Sequence, residues 1–126
     1  MKKILILLLS LLGMNACMNA QGNNFTDMDV EHFAQYITNG DVQLVDVRTP
    51  EEYAEGHIEG ARNIDVFDDD FLEEAQKSLD KSRPVAVYCR SGKRSADAAR
   101  KLSANGFQVT NLEGGILAWK ENREKN

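Results

Sequence analysis

The chain is short of cysteine and proline, with two of each in 126 residues. Two cysteines, Cys17 and Cys89, exclude a scaffold stapled by several disulfides. Few prolines, beside 28% charged and 42% hydrophobic residues, exclude a disordered tail, a collagen-like chain and a multi-pass membrane protein. Positive charge is in deficit, with 15 Lys and Arg against 20 Asp and Glu. Residues 1–16 hold two lysines and no acid, so the net charge of −5 becomes −7 for the rest of the chain. An acidic body of this size is a poor nucleic-acid binder, because phosphate contacts need clustered cations. The apolar run Ile4–Leu12 has nine residues, too few for a helical span of roughly 20. What remains suits one compact domain.

The N-terminus reads as an address. Met1-Lys2-Lys3 is a basic start, and Ile4–Leu12 has the length of a secretory h-region. No polar face interrupts that run, which argues against a buried N-terminal core helix. Gly13-Met14-Asn15-Ala16 leads to Cys17 and resembles the bacterial lipobox, with Met14 where leucine is usual. That resemblance implies cleavage before Cys17 and acylation of its thiol. Ordinary cleavage near Ala16 or Ala20, releasing an exported soluble protein, is the other reading. Met18–Asn24 is small and polar and reads as a flexible tether. The expected organisation is a signal peptide at 1–16, a lipidated cysteine and tether at 17–24, a folded body at 25–122 and a tail at 123–126. The expected location is periplasmic, with a lipid anchor as the only membrane contact.

Periodicity divides the body. Val30, Phe33, Ala34 and Ile37 share one helical face, with Asp27 or Asp29 as cap and Asn39-Gly40 as stop. Val42–Val47 reads as a strand. Thr49 as N-cap, Pro50 at the first helical position and Glu52 completing a capping box predict a short helix that stops by Gly56. Asn63–Val66 is a candidate strand, and Phe71, Leu72, Ala75 and Leu79 mark another helix. Val85–Tyr88 is nearly all apolar, as in a strand covered on both faces. Ser95–Ala104 reads as a helix, Phe107–Thr110 as a strand, and Gly115–Asn122 as a last helix carrying Ile116, Leu117 and Trp119. Alternation of helices and strands predicts an α/β fold with a mostly parallel sheet between two helix layers. Ligands bind such sheets at the carboxyl ends of the strands, which is where Cys89 falls.

Three features gather around that thiol. The turn between a strand and a helix N-terminus presents successive backbone N–H groups as an anion cradle. Arg90, Lys93 and Arg94 place three cations within five residues of the sulfur. Gly92 permits the positive φ of a curled loop. All three favour thiolate over thiol, so the expectation is an ionised, reachable nucleophile.

The segment Cys89-Arg90-Ser91-Gly92-Lys93-Arg94-Ser95 resembles the active loop of single-domain rhodaneses, a family of sulfurtransferases. Asp46–Tyr53 (DVRTPEEY) with Gly56–Ala61 (GHIEGA) is similar to the family's first signature. Asn111–Gly115 (NLEGG) with Ala118-Trp119 is similar to its C-terminal one. The three blocks stand in the family's order and cover nearly everything from Phe25 to Lys120. The resemblance implies a rhodanese-like three-layer fold and sulfur transfer through Cys89. Its thiolate would take the outer sulfur of thiosulfate, a persulfide or a polysulfide, forming a persulfide with ping-pong kinetics. Arg90, Ser91, Gly92, Lys93, Arg94 and Ser95 would bind the anion and the terminal sulfur. The implied acceptors are cyanide in an assay, and a low-molecular-weight thiol or a thioredoxin-like protein in a cell. Neither a metal nor an organic cofactor is implied.

Asp46 and Arg48 are implied loop supports, with Asp46 pairing an arginine such as Arg94; a fold-closing salt bridge is the other reading. His57 is implied to be structural. Trp119 reads as core, and Asp68-Asp69-Asp70 as a solvated turn and helix start rather than a metal site. One departure from the family concerns Glu51 and Glu52, which occupy a stretch where two-domain thiosulfate enzymes carry a second basic residue. That favours a persulfide or polysulfide donor. Two other functions are compatible with a rhodanese-like chain. Non-catalytic rhodanese-like binding modules usually lack the cysteine. Cysteine phosphatases and arsenate reductases are disfavoured by loop length, since the phosphatase motif is Cys-x5-Arg. Here the sixth residue after Cys89 is Ser95, and Arg94 is the fifth.

Overall fold

The computed structural model describes residues 24–125. Five strands form one sheet in which every pairing is parallel: β1 (Thr26–Met28), β2 (Gln43–Asp46), β3 (Arg62–Asn63), β4 (Val85–Tyr88) and β5 (Val109–Leu112). Their spatial order is β1-β5-β4-β2-β3. The helices are α1 (Val30–Tyr36), α2 (Pro50–Glu55), α3 (Phe71–Ser78), α4 (Lys93–Ser103) and α5 (Gly115–Lys125). Every residue of β2, β4 and β5 is buried, as parallel strands between helix layers should be.

Strand alternation sorts the core into two layers. Val45, Val47, Val85, Val87, Cys89 and Val109 face Phe71 and Ala75 of α3 and Ala98, Ala99 and Leu102 of α4. Leu44, Ala86, Tyr88 and Leu112 face Phe33 of α1 and Ile116 of α5. Helices therefore cover both faces of the sheet, and the fold is the expected three-layer α/β architecture.

Local side-chain signals set two of the five helix starts. The Asp29 carboxylate accepts the His32 N–H at 2.9 Å and caps α1. Thr49 and Glu52 form a reciprocal capping box on α2, with Pro50 at its start. Elsewhere the boundaries shift. β1 was not anticipated: it has three mostly exposed residues and exists through its register with Thr110–Leu112 of β5. β3 is confined to Arg62–Asn63 and β5 is displaced toward Leu112. α5 continues to Lys125. α4 begins at Lys93, because Gly92 takes the cap position in a left-handed conformation (φ 110°) and its carbonyl accepts the Ala96 N–H at 3.1 Å.

Parallel register levels the carboxyl ends of four strands, β2 to β5. Asp46 lies opposite Tyr88 and opposite Asn63, and Val87 lies opposite Asn111. Cys89 is the next residue beyond β4 on this edge.

Candidate active site

Cys89 continues the Val85 and Val87 face of β4, so its side chain enters the layer beneath α4. It is only 1% exposed, more enclosed than the reachable nucleophile the sequence suggested. The segment that follows is nevertheless curled around it. The Gly92 N–H donates to Sγ at 3.1 Å, and the Ser95 hydroxyl stands 3.3 Å from Sγ. Ser95 is buried, and its hydroxyl is also 3.2 Å from the Gly92 carbonyl. One hydroxyl proton serves either acceptor; a thiolate would draw it.

Burial is the largest influence on the Cys89 thiol and pushes its pKa up. The Ser95 hydroxyl and the amides of Ser95, Gly92 and Ser91 act in the opposite direction and together prevail, leaving the pKa below the ordinary thiol value. The leading causes are thus burial and hydrogen bonding, not the three loop cations. Arg90 and Lys93 are exposed, with no ion pair to any described residue. Arg94 is held by Glu52 through Nη1–Oε1 at 2.8 Å and Nη2–Oε2 at 3.0 Å. Its guanidinium carbon also lies 5.3 Å from the centre of the Phe67 ring.

The segment after β5 supports the loop from behind. The N–H groups of Ile116 and Leu117 donate to the carbonyls of Cys89 and Arg90 at 2.9 and 3.2 Å. These bonds occupy the carbonyl side of the first loop peptides. Gly115 sits so close that a Cβ there would overlap the Arg90 carbonyl. Gly92 is required by its φ of 110°, which L side chains rarely adopt, although a Cβ there would meet the Gly114 nitrogen only at an ordinary 3.4 Å. The sequence placed Gly115, Ile116 and Leu117 in the last helix, without a role in supporting the loop. The paired glycines Gly114-Gly115 were the available signal.

Asp46 does not pair with Arg94. Its buried carboxylate takes Arg48, with Nη2–Oδ2 at 2.7 Å and Nε–Oδ1 at 2.9 Å, and also accepts the Arg48 N–H. Arg48 donates onward to the Gly56 carbonyl at 2.7 Å. The pair closes the turn from β2 into α2. The reason for the exchange is reach: two residues on, Arg48 folds back over the carboxylate, while Glu52 already occupies Arg94. Glu52, read from sequence as a helix cap, does both jobs. Its Oε1 also accepts the Thr49 N–H at 3.0 Å.

The remaining candidates lie apart. The His57 ring stacks on Tyr53 with centroids 3.7 Å apart, and its Nδ1 is 2.9 Å from the Tyr53 carbonyl. Trp119 is half-buried against the layer of α1 and α5, beneath Arg123. Asp68–Asp70 occupies the turn before α3, and no three acidic, His or Cys side chains cluster for a metal among the described residues. Cys17 and the apolar run before it lie outside the described residues.

Comparisons with known proteins bear on the family and the fold. The family described as Rhodanese-like domain matches residues 29–122. The chain is 40% identical over 87 residues to the putative sulfurtransferase YtwF of Bacillus subtilis, covering 68% of this chain and 82% of that one. It is 34% identical over 100 residues to the thiosulfate sulfurtransferase GlpE of Shewanella oneidensis, covering 79% and 96%. The crystal structure of a rhodanese-related protein from Thermoplasma volcanium matches with a TM-score of 0.68 at 32% identity, over 78% of this chain and 93% of that one.

Proposed function

The chain belongs to the rhodanese-like domain family, and on that premise we propose that it is a sulfurtransferase carrying a sulfane sulfur on Cys89. One observation carries the reading. A cysteine buried beneath a helix N-terminus is held below the ordinary thiol pKa by donors converging on its sulfur. Buried structural cysteines shift the other way.

The Cys89 thiolate attacks the outer sulfur of a donor, namely thiosulfate, a persulfide or a polysulfide. With thiosulfate a new S–S bond forms, the bond to the sulfonate sulfur breaks, and its electron pair leaves with sulfite. Cys89 then carries a persulfide anion. Loop amides that favour a thiolate also suit a terminal sulfur anion. An acceptor thiolate or cyanide attacks that outer sulfur, and Cys89 departs as thiolate. Neither displacement needs a proton moved, so His57 has no part in the chemistry. The enclosure of Cys89 suits donors whose reacting sulfur is terminal and slim. Low-molecular-weight thiols and thioredoxin-like proteins are the proposed cellular acceptors.

Phosphoryl transfer fits less well. The sixth residue after Cys89 is Ser95, whose hydroxyl is directed at the sulfur, and Arg94 is tied to Glu52. Neither offers a guanidinium to a phosphate.

The proposal extends to an exported, lipid-anchored protein, on the strength of the lipobox-like residues before Cys17. Cys17→Ala should move the chain from the membrane fraction to the soluble one; retention on the membrane refutes acylation.

Incubating the purified protein with thiosulfate or polysulfide should add one sulfur to its intact mass. Cyanide should remove it as thiocyanate, and Cys89→Ser should gain none. A wild-type protein that gains no cyanide-labile sulfur overturns the reading.

A further inference from the structure

Arg94 belongs to the active loop, yet its charge is not available to an incoming anion. Both of its terminal nitrogens are engaged by the two oxygens of Glu52, at 2.8 and 3.0 Å. The carboxylate is itself fixed, because Oε1 also accepts the Thr49 N–H at 3.0 Å and the Thr49 hydroxyl at 3.1 Å. The pair therefore spans from the start of α2 to the first turn of α4, with Phe67 against the guanidinium. Hydrogen bonding to Arg94 holds the Glu52 carboxyl down at about 2, so it is anionic wherever the protein works. The Arg94 pKa is raised, chiefly by the hydrogen bond to Glu52, with a smaller contribution from the Cys89 thiolate. Without Glu52, Arg94 would add a full positive charge beside the site of sulfur loading. Arg90 and Lys93 are exposed and remain to attract anions in general.

Accepting that Cys89 carries the sulfur, we infer that Glu52 determines donor specificity: by neutralising Arg94 in a bidentate pair, it sets the loop against dianionic donors and in favour of donors of lower charge. Thiosulfate is disfavoured relative to a monoanion that offers the same kind of outer sulfur. The chemical step is unchanged; only the electrostatic cost of bringing the second negative charge to the thiolate differs.

The test compares two donors attacked at the same atom. Thiosulfate carries two negative charges and releases sulfite; methanethiosulfonate carries one and releases methanesulfinate. The readout is the ratio of kcat/KM for sulfur loading, thiosulfate over methanethiosulfonate. In Glu52→Gln the amide oxygen can still accept the Thr49 N–H, while Arg94 loses its counter-charge. The ratio should rise about fivefold to tenfold at low salt and fall back toward wild type as salt screens it. Arg94→Gln leaves Glu52 uncompensated, so the ratio should drop below wild type. The double variant restores neutrality and should return the ratio to within about twofold of wild type.

A purely structural clamp behaves differently, because loosening it slows both donors alike and leaves the ratio unmoved. A wild-type ratio in Glu52→Gln therefore overturns the inference, as does loss of loading with both donors in Glu52→Gln and in the double variant. A wild-type protein that takes sulfur from neither donor refutes the sulfurtransferase reading itself, which separates the two failures.

Discussion

Gly115 lies against the Arg90 peptide: a Cβ at Gly115 would stand 2.5 Å from the Arg90 carbonyl carbon and 2.7 Å from the Cys89 carbonyl oxygen. The turn after β5 and the loop after β4 are thus in backbone contact, and the shape of one depends on the other. Gly115 also has φ +60°, which L side chains rarely adopt.

Gly115→Ala should destabilise the protein by about 1–3 kcal/mol through backbone strain alone, with the overlap adding to it. Sulfur loading should fall about tenfold, because displacing the loop misplaces its amide donors. Thermal unfolding and single-turnover loading measure the two effects. Gly40→Ala is the control, having open space around it and no positive φ. Equal behaviour of the two variants would refute the contact.

Ser95→Ala removes the hydroxyl that lowers the Cys89 pKa. Loading requires the thiolate, so its rate rises with pH through that pKa. The variant's inflection should move to higher pH, toward an ordinary thiol. Below the inflection the loading rate should fall about tenfold, the value of one hydrogen bond to a charged group. The plateau at high pH should be nearly retained. A pH–rate profile with unmoved inflection would mean that the hydroxyl bonds only the Gly92 carbonyl.

Asp46→Asn breaks a buried ion pair while leaving Arg48 in place, 6% exposed. Stranding a buried charge costs about 3–5 kcal/mol. Urea unfolding should show a loss of that size. A loss below about 1 kcal/mol would mean that the Gly56 carbonyl and solvent satisfy Arg48 on their own.

Glu52 also predicts a pH dependence of stability. Its carboxyl is depressed from 4.5 to about 2 in the folded chain, chiefly by Arg94. A depressed folded pKa contributes stability that is whole above pH 4.5 and lost as pH falls toward about 2. Between these limits wild type should lose thermal stability more steeply than Glu52→Gln. Parallel melting curves across that window would remove the ion pair from the account.

Short-range signals were legible in the sequence. The Asp29 cap and the Thr49–Glu52 box connect residues three apart, so each is written within one turn of chain. Of the inner strands only β4 carried its burial in apolar composition; β2 and β5 also bury Gln43, Asp46, Thr110 and Asn111. β1 had no such pattern, since only its pairing with β5 makes it a strand. The charges were harder. Nearness in sequence suggested that Arg90, Lys93 and Arg94 act on Cys89 together, and the family resemblance implied that Asp46 reaches Arg94. Arg90 and Lys93 instead face solvent, and the partner of Arg94 lies 42 residues away.

The sequence by itself determined the caps of α1 and α2, the apolar faces, the alternation that makes a parallel α/β sheet, and a cysteine at a strand end followed by a glycine turn. These are matters of composition and short-range geometry, settled within a few residues. Tertiary structure alone decided which donors reach the sulfur, which carboxylate meets which arginine, and why Gly115 must lack a side chain. Those outcomes follow from strand order and register, which bring residues from separate parts of the chain within hydrogen-bonding distance.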